Sequence, residues 1–237
     1  GSGRHVAALR SLVKRRSRAW DVTSADTRRR LYRLLYGGRA AVEEAMLQAP
    51  AGASPALVPG DDEPSATPSA RILGATIHSG DILVSRGGAP TSALIARGSD
   101  YPGNFSHAAL VHVDGTTGTP SIVEAHIERG VAVATVEQYL ADVKLRVMVL
   151  RPRADLPEIR KDPHLPHDAA SALLAEARAR HIPYDFAMDA VEHNRLFCSE
   201  VVSWAYERAG IKLWSAPSCI SSPGLARWLA DFGVTHF

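Results

Sequence analysis

Beyond residue 71 the chain contains short apolar runs with a two-residue period, which predict β-strands. Turn residues such as Asp114-Gly115 separate these runs. The predicted strands cover residues 82–84, 105–113, 121–127, 131–134 and 145–150. We expect three or four of them to pair as one antiparallel sheet.

Helical spacing predicts further elements between and after the strands. Residues 91–97 and about 168–180 are predicted helices, and Thr135 with Gln138 has the spacing of a capping box that opens a short helix. A last helix is expected to begin at Ser222-Pro223. The fold class predicted from these elements is α+β.

The first 48 residues form a different segment, which is basic and helical in its periodicity. It carries 11 Lys and Arg residues and 4 Asp and Glu residues, a net charge of +7. The rest of the chain carries 16 Lys and Arg residues and 21 Asp and Glu residues, a net charge of −5. Thr23 and Asp26 resemble a capping box for a helix over residues 28–36, and a third short helix is expected over residues 39–48. The first helix has an apolar stripe formed by Val6, Leu9, Leu12 and Val13.

Basic clusters in this segment suggest a partner. Lys14-Arg15-Arg16 and Arg28-Arg29-Arg30 can bind the phosphates of an anionic membrane, or they form the solvated face of helices packed near the main domain. Nucleic acid is not expected as a partner, and no obligate protein partner is evident.

Composition and proline content set the domain limits. Residues 49–70 hold five of the fifteen prolines and are predicted to be a linker or long loop between the helical segment of residues 1–48 and a main domain of residues 71–237. With 46% hydrophobic and 22% charged residues, we expect a water-soluble globular chain. No apolar run is long enough to cross a membrane. Since Gly1-Ser2-Gly3 resembles an expression scar, a leader could have been removed, and the compartment is left open between cytoplasmic and secreted.

Cys198 is the first candidate for chemistry because it lies at the start of an amphipathic helix. The apolar stripe of that helix is Val201, Val202, Ala205 and Ala209, and Gly210 ends it. The helix N-terminus favours a thiolate by about 0.3–1 kcal/mol when exposed. The alternative interpretation is a buried structural cysteine, so the assignment of a nucleophile requires a base.

Two strands offer partners for Cys198. His107 is set among apolar neighbours near the start of its strand, and Glu124 shares a strand face with Ile122 and His126. A carboxylate in an apolar strand needs a partner. A metal site made of His107, His112 and His126 fails on strand parity, because His112 faces the opposite way. With only two cysteines, neither a disulfide framework nor a cysteine-rich zinc site is indicated.

Five short motifs in this order resemble the permuted NlpC-type papain-like hydrolases, and the YiiX-like branch in particular. They are Gly-Asp-Ile-Leu from Gly80, Phe-Ser-His-Ala from Phe105, Val-Glu-Ala from Val123, Pro-Tyr-Asp-Phe from Pro183 and Phe-Cys-Ser-Glu from Phe197. The resemblance covers residues 71–237 and leaves the basic segment unexplained. It implies a circularly permuted papain-like fold, in which an antiparallel sheet packs on helices that include the nucleophile helix.

The resemblance also implies roles for individual residues. Cys198 would be the nucleophile, His107 the base and Glu124 the orienting carboxylate. His126 is the alternative third residue, since the related lecithin retinol acyltransferase-type branch uses a second histidine there. The candidates for the oxyanion site or the substrate pocket are Tyr184, Ser106 and Ser199. No cofactor is implied.

The sequence leaves more than one function class open. The first is a cysteine hydrolase that cleaves amide bonds (peptide or N-acyl) or ester bonds through an acyl-enzyme. The alternatives are a lipid acyltransferase or phospholipase of the lecithin retinol acyltransferase type, and a catalytically silent binding module that uses the basic N-terminal helices. The expected substrates are therefore peptides, acylated molecules or lipids.

Overall fold

The computed structural model of the protein describes residues 2–37, 62–98, 105–188 and 192–213. The chain divides into two compact units, Gly1–Asp62 with Leu73–Ala75, and Glu63–Ile72 with Thr76–Phe237. The predicted helix over residues 39–48, the turn near residues 101–104 and the last helix at Ser222-Pro223 lie outside the described residues. In the part of the chain that is described, no helix has both the length and the apolar character needed to cross a membrane.

The described part of the first unit is helical, as its periodicity predicts. Helix α1 spans Ser2–Ser17, helix α2 spans Ala25–Tyr32, and one π-helical turn covers Arg33–Gly37. The prediction that Thr23 opens the second helix is wrong, because the N-cap is Ser24, whose hydroxyl accepts the Thr27 N–H at 3.5 Å. The Thr23 side chain instead donates to Asp21. The association of this unit with an anionic surface stays a prediction.

Five strands of the second unit form one antiparallel sheet in the order β6-β5-β4-β3-β7. They are β3 (Ile82–Gly87), β4 (His107–Val113), β5 (Pro120–His126), β6 (Gly130–Ala134) and β7 (Lys144–Leu150), so every predicted strand is present. The number of paired strands is five rather than three or four. A separate hairpin of β1 (Ser69–Ile72) and β2 (Ala75–His78) was not predicted, since each strand has only four residues.

Four of the five helices described in this unit were predicted, and the short helix at Pro157–Lys161 lies where only a loop was expected. The five helices are α3 (Pro90–Gly98), α4 (Val136–Ala141), α5 (Pro157–Lys161), α6 (Leu165–Ala179) and α7 (Cys198–Arg208). The capping box of α4 is confirmed, since Thr135 and Gln138 exchange hydrogen bonds of 2.8 and 3.2 Å between side chain and backbone. Helix α6 begins three residues before the predicted start because Pro166 is compatible with a first helical turn.

The sheet is buried on both faces, which explains why its central strands are almost continuously apolar. On one face, Leu110 and Val123 belong to the same core cluster as Leu173 of α6 and Val201 of α7. Ala109, Val111 and Ile122, which point to the other face, are also fully buried. Burying each such side chain contributes about 1.5–3 kcal/mol. The helix that begins at Cys198 is therefore held firmly against the sheet.

A buried ion pair fixes the end of the sheet opposite to His107. Arg151, directly after β7, donates to both carboxylate oxygens of Asp81 at 2.7 Å, and to the Glu63 carbonyl at 2.6 Å. The Tyr206 hydroxyl of α7 donates to the Gly80 carbonyl beside it. These bonds join the start of β3, the end of β7 and helix α7. Glu63 belongs to the predicted linker, and the domain limits predicted from the sequence stay a prediction.

The segment that leads to α7 crosses the edge of the sheet at Gly130. The Val131 N–H donates to the Ile182 carbonyl at 2.8 Å, and the Leu196 N–H donates to the Pro183 carbonyl at 3.0 Å. Gly130 has a φ of +70°, and a Cβ there would lie 2.2 Å from the Ile182 carbonyl oxygen. Glycine is therefore required both by the backbone conformation and by the close approach of this segment.

We expect Gly130→Ala to destabilise the fold by at least about 3 kcal/mol, since the left-handed backbone penalty adds to a clash. The matched control is Gly118→Ala, because Gly118 has a φ of +68° and open space around its Cβ position. The control should cost only the backbone penalty of about 1–2 kcal/mol. Equal losses in urea unfolding of the two variants would show that the contact at Ile182 contributes nothing.

Candidate active site

Two strands and one helix bring the predicted catalytic residues together. Cys198 is the first residue of α7, His107 is the first residue of β4, and Glu124 lies within β5. Ala109 pairs with Glu124 across β4 and β5, so Glu124 and His107 share one face of the sheet. The Cys198 thiol and the His107 ring interact, since each shifts the pKa of the other. Strand pairing and helix packing thus bring Cys198, His107 and Glu124 together.

Each oxygen of the Glu124 carboxylate is in close contact with the imidazole ring of one histidine. Its Oε2 lies 2.6 Å from His107 Nε2, and its Oε1 lies 3.1 Å from His126 Nε2. Only 2% of Glu124 is exposed, so the carboxylate relies on these two donors. Because Nε2 of His107 is used by Glu124, the ring nitrogen left for Cys198 is Nδ1. His126 meets Glu124 and not His107, whose ring centroid is 6.2 Å away.

The electrostatics favour a thiolate–imidazolium pair. Burial alone would lower the pKa of His107, but the hydrogen bonds and charges of Cys198 and Glu124 raise it from 6.5 to about 9. Burial would raise the pKa of the Cys198 thiol, yet His107 and the backbones of Ala108 and Ser199 lower it below its ordinary value. Each group therefore stabilises the charged form of the other.

The carboxylate at the far end of this arrangement is kept charged. Burial would raise the pKa of Glu124, but the hydrogen bonds and charges of His107 and His126 lower it from 4.5 to about 2. Burial and the Glu124 charge raise the pKa of nearby Tyr139 to about 12. Glu124 is thus ionised at neutral pH and can only accept hydrogen bonds. Tyr139 of α4 stays protonated.

A second carboxylate supports the start of the nucleophile helix. Glu200, only 1% exposed, accepts the Phe197 N–H on Oε2 at 3.2 Å. The Phe197 N–H immediately precedes α7 and would otherwise lack a partner in the helix. His193 lies 3.7 Å from the other oxygen of Glu200 and stacks on Trp204. The loop that leads to Cys198 is therefore joined to the helix it starts.

The predicted pocket residues have different surroundings. Tyr184 is buried in the core cluster that contains Cys198, and burial together with the thiolate charge raises the pKa of Tyr184, so its hydroxyl remains a donor. The backbone of Ser199 helps to lower the pKa of the Cys198 thiol. The Ser106 hydroxyl instead accepts the Gly87 N–H at 3.3 Å and joins the start of β4 to β3.

His112 lies away from this site, as strand parity predicts. Its ring stacks on His167 of α6 at a centroid distance of 5.2 Å, on the sheet face that the helices cover. Within the described ranges, no group of three or more His, Cys, Asp and Glu side chains is arranged to hold a metal ion.

Three features of the site were not predicted from the sequence. They are Tyr139, Ser85 and the hydrogen bond from the Phe197 N–H to Glu200. Ser85 pairs with His107 across β3 and β4 and is completely buried. Its place beside the base depends on the register of two strands, which the sequence does not specify. The Phe197–Glu200 contact, by contrast, could have been predicted. A glutamate three residues after the N-cap position is the part of a capping box that accepts the N-cap backbone N–H.

The pKa of His107 gives a direct test of the ion pair. Because about 9 lies above the ordinary 6.5, protonated His107 stabilises the fold fully below about pH 6.5, and that contribution is lost as pH rises through about 9. We expect Cys198→Ala to shift the His107 pKa, measured by NMR titration, down toward 6.5. An unchanged pKa in this variant would mean that the thiol is not the partner of His107.

Comparison with known proteins agrees with this architecture. The profile of a family described as permuted papain-like amidase enzymes, YaeF/YiiX, C92 family, matches residues 76–219, more than half of the chain. The crystal structure of metalloprotein yiiX from Escherichia coli O157:H7 is similar with a TM-score of 0.46 and 22% identity, over 65% of this chain and 80% of that chain. A search of curated proteins finds no match.

The resemblance inferred from the five short motifs is therefore confirmed. The mixed helical and antiparallel fold, with its histidine and carboxylate ahead of the cysteine in the chain, is the permuted arrangement that those motifs imply. The enzyme is a thiol hydrolase. The chain belongs to the YaeF/YiiX family of permuted papain-like amidases.

Proposed function

We propose that the protein hydrolyses amide bonds, in peptides or N-acyl compounds, through a Cys198–His107–Glu124 triad and an acyl-enzyme. The observation that carries this proposal is that the Cys198 thiol interacts with His107, whose Nε2 in turn lies 2.6 Å from Oε2 of the buried Glu124. Such a series supplies a nucleophile, a proton carrier and an orienting group in the order that acyl transfer requires. Because all three side chains are in place, a catalytically silent binding role is disfavoured.

In the acylation step, the thiolate of Cys198 attacks the carbonyl carbon of the substrate. A carbon–sulfur bond forms while the carbonyl electron pair moves to oxygen, and the first N–H groups of α7 are the donors available for that oxyanion. When the intermediate collapses, the carbon–nitrogen bond breaks. His107, protonated in the resting pair, gives its Nδ1 proton to the departing amine, which leaves neutral.

In the deacylation step, neutral His107 takes a proton from water. The resulting hydroxide attacks the thioester carbon, and the carbon–sulfur bond breaks to return the thiolate. The protonated His107 and the thiolate are then restored as a pair. Throughout both steps Glu124 keeps the same ring tautomer, because it is an acceptor for the Nε2 proton only.

A second candidate function is the hydrolysis or transfer of a lipid or other long acyl group. The observation that favours it is the exposed apolar surface next to the site. Phe186, 68% exposed, packs edge-on against Tyr184, and Ile127, 41% exposed, directly follows His126. A panel that pairs short and long acyl chains on amides and esters separates the two candidates by their kcat/KM.

We expect Cys198→Ala and His107→Ala to lose at least about a thousandfold in kcat on any substrate found in that panel, with the fold intact by circular dichroism. Glu124→Gln should lose less than either, because the Cys198–His107 pair persists with a less well oriented ring. Full activity of Cys198→Ala would overturn the proposed function. A greater loss from His126→Ala than from Glu124→Gln would make His126 the third residue.

A further inference from the structure

The double anchoring of Glu124 indicates a role for His126 that the triad does not include. Glu124 needs only one oxygen to orient His107, and the second oxygen is held separately by His126. Both contacts are made by residues of β5 and the adjacent strand β4 rather than by residues of a loop. We propose that His126 is a positioning residue, which fixes the Glu124 carboxylate so that His107 faces Cys198; this inference rests on the proposed function.

A glutamate carboxylate that is held at only one oxygen can still turn. The torsion that turns a glutamate carboxyl group is broad and roughly two-fold, so one hydrogen bond sets its distance but not its plane. The close contact of His126 Nε2 with Oε1, at 3.1 Å, adds a second fixed point. With both oxygens held, the carboxylate plane is defined, and so is the direction in which it accepts the His107 proton.

The charge on Glu124 determines which ring nitrogens of His107 and His126 carry hydrogen. An ionised carboxylate can only accept hydrogen bonds, so the ring nitrogens that face its two oxygens must both carry hydrogen. His126 is therefore a donor through Nε2, and His107 presents its Nδ1 to the thiol. The pKa of Glu124, lowered to about 2 against the effect of burial, is consistent with two donors acting on one carboxylate.

The position of His126 on β5 also supports a positioning role. His126 lies two residues after Glu124 on the same strand face, and it pairs with Gly130, the first residue of β6. Its side chain is 18% exposed, compared with 2% for Glu124, so it reaches the carboxylate from the solvent side of the site. The ionisable groups that interact with the Glu124 charge include His107 and His126, which approach its oxygens, and Tyr139, whose pKa the charge raises.

The test uses the full chain and needs no substrate. Iodoacetamide is applied to the wild type and to His126→Ala across a pH series, and mass spectrometry of peptides follows the alkylation rate of Cys198. Without His126 the imidazolium is less well stabilised, which raises the apparent pKa of the thiol. We expect about a tenfold slower reaction near pH 6, the effect of one pKa unit, and convergence of the two rates near pH 9.

Two further variants separate positioning from damage to the fold. His126→Gln can place an amide N–H donor near the same oxygen and should recover most of the rate. The control His181→Ala removes an exposed histidine outside the site and should match the wild type. A slow rate at every pH, or a His126→Gln variant as slow as His126→Ala, would overturn the inference.

The outcomes also distinguish this inference from the proposed function. If His126→Ala has the wild-type profile while Cys198 is rapidly alkylated near pH 6, the inference fails and the triad stands. If wild-type Cys198 reacts near pH 6 no faster than an ordinary free thiol does, the thiolate pair is absent and both fail.

Discussion

The proposed active site depends on keeping one carboxylate charged inside the sheet. Glu124 lies on an inner strand and is almost completely buried, which disfavours its charge unless donors compensate for the lost water. Two imidazole N–H groups provide that compensation, and one of them belongs to the ring that faces the thiol. The charge on Glu124 supports the charge on His107, which in turn supports the thiolate of Cys198. Removing the first member weakens the whole series.

The fold keeps these groups within reach by joining helix and sheet at several points. Core packing holds α7 against β4, the Tyr206 hydroxyl ties the body of that helix to the start of β3, and Glu200 caps its first turn. The segment through Ile182 and Pro183 is hydrogen-bonded both to β6 and to the loop before Cys198. A helix N-terminus that is fixed in this way presents its free N–H groups in constant positions, as stabilisation of an oxyanion requires.

Much of this could be predicted from the sequence, because local patterns specify local structure. The two-residue period located all five strands of the sheet, and parity along β4 separated His107 from His112. The helical period of the residues after Cys198 predicted the helix that begins at this proposed nucleophile. The short motifs indicated the order of the chain, and the family match confirms that interpretation.

What the sequence could not supply depends on register and tertiary approach. Three features require knowing which strands are neighbours and how they align: the pairing of Ser85 with His107, the effect of the Glu124 charge on Tyr139, and the approach of two imidazoles to one carboxylate. The N-cap at Ser24 rather than Thr23 shows the same limit at short range, since two adjacent hydroxyl residues could each have capped that helix.

The central claim is that Cys198 rests as a thiolate beside a protonated His107. The most direct measurement is the ultraviolet absorbance of the thiolate across a pH series, taken as the difference between the wild type and Cys198→Ala. The account predicts that this absorbance is already present near pH 6 and decreases in Glu124→Gln at the same pH. Absorbance that appears only as pH approaches 9.0, the ordinary pKa of a thiol, would contradict the account.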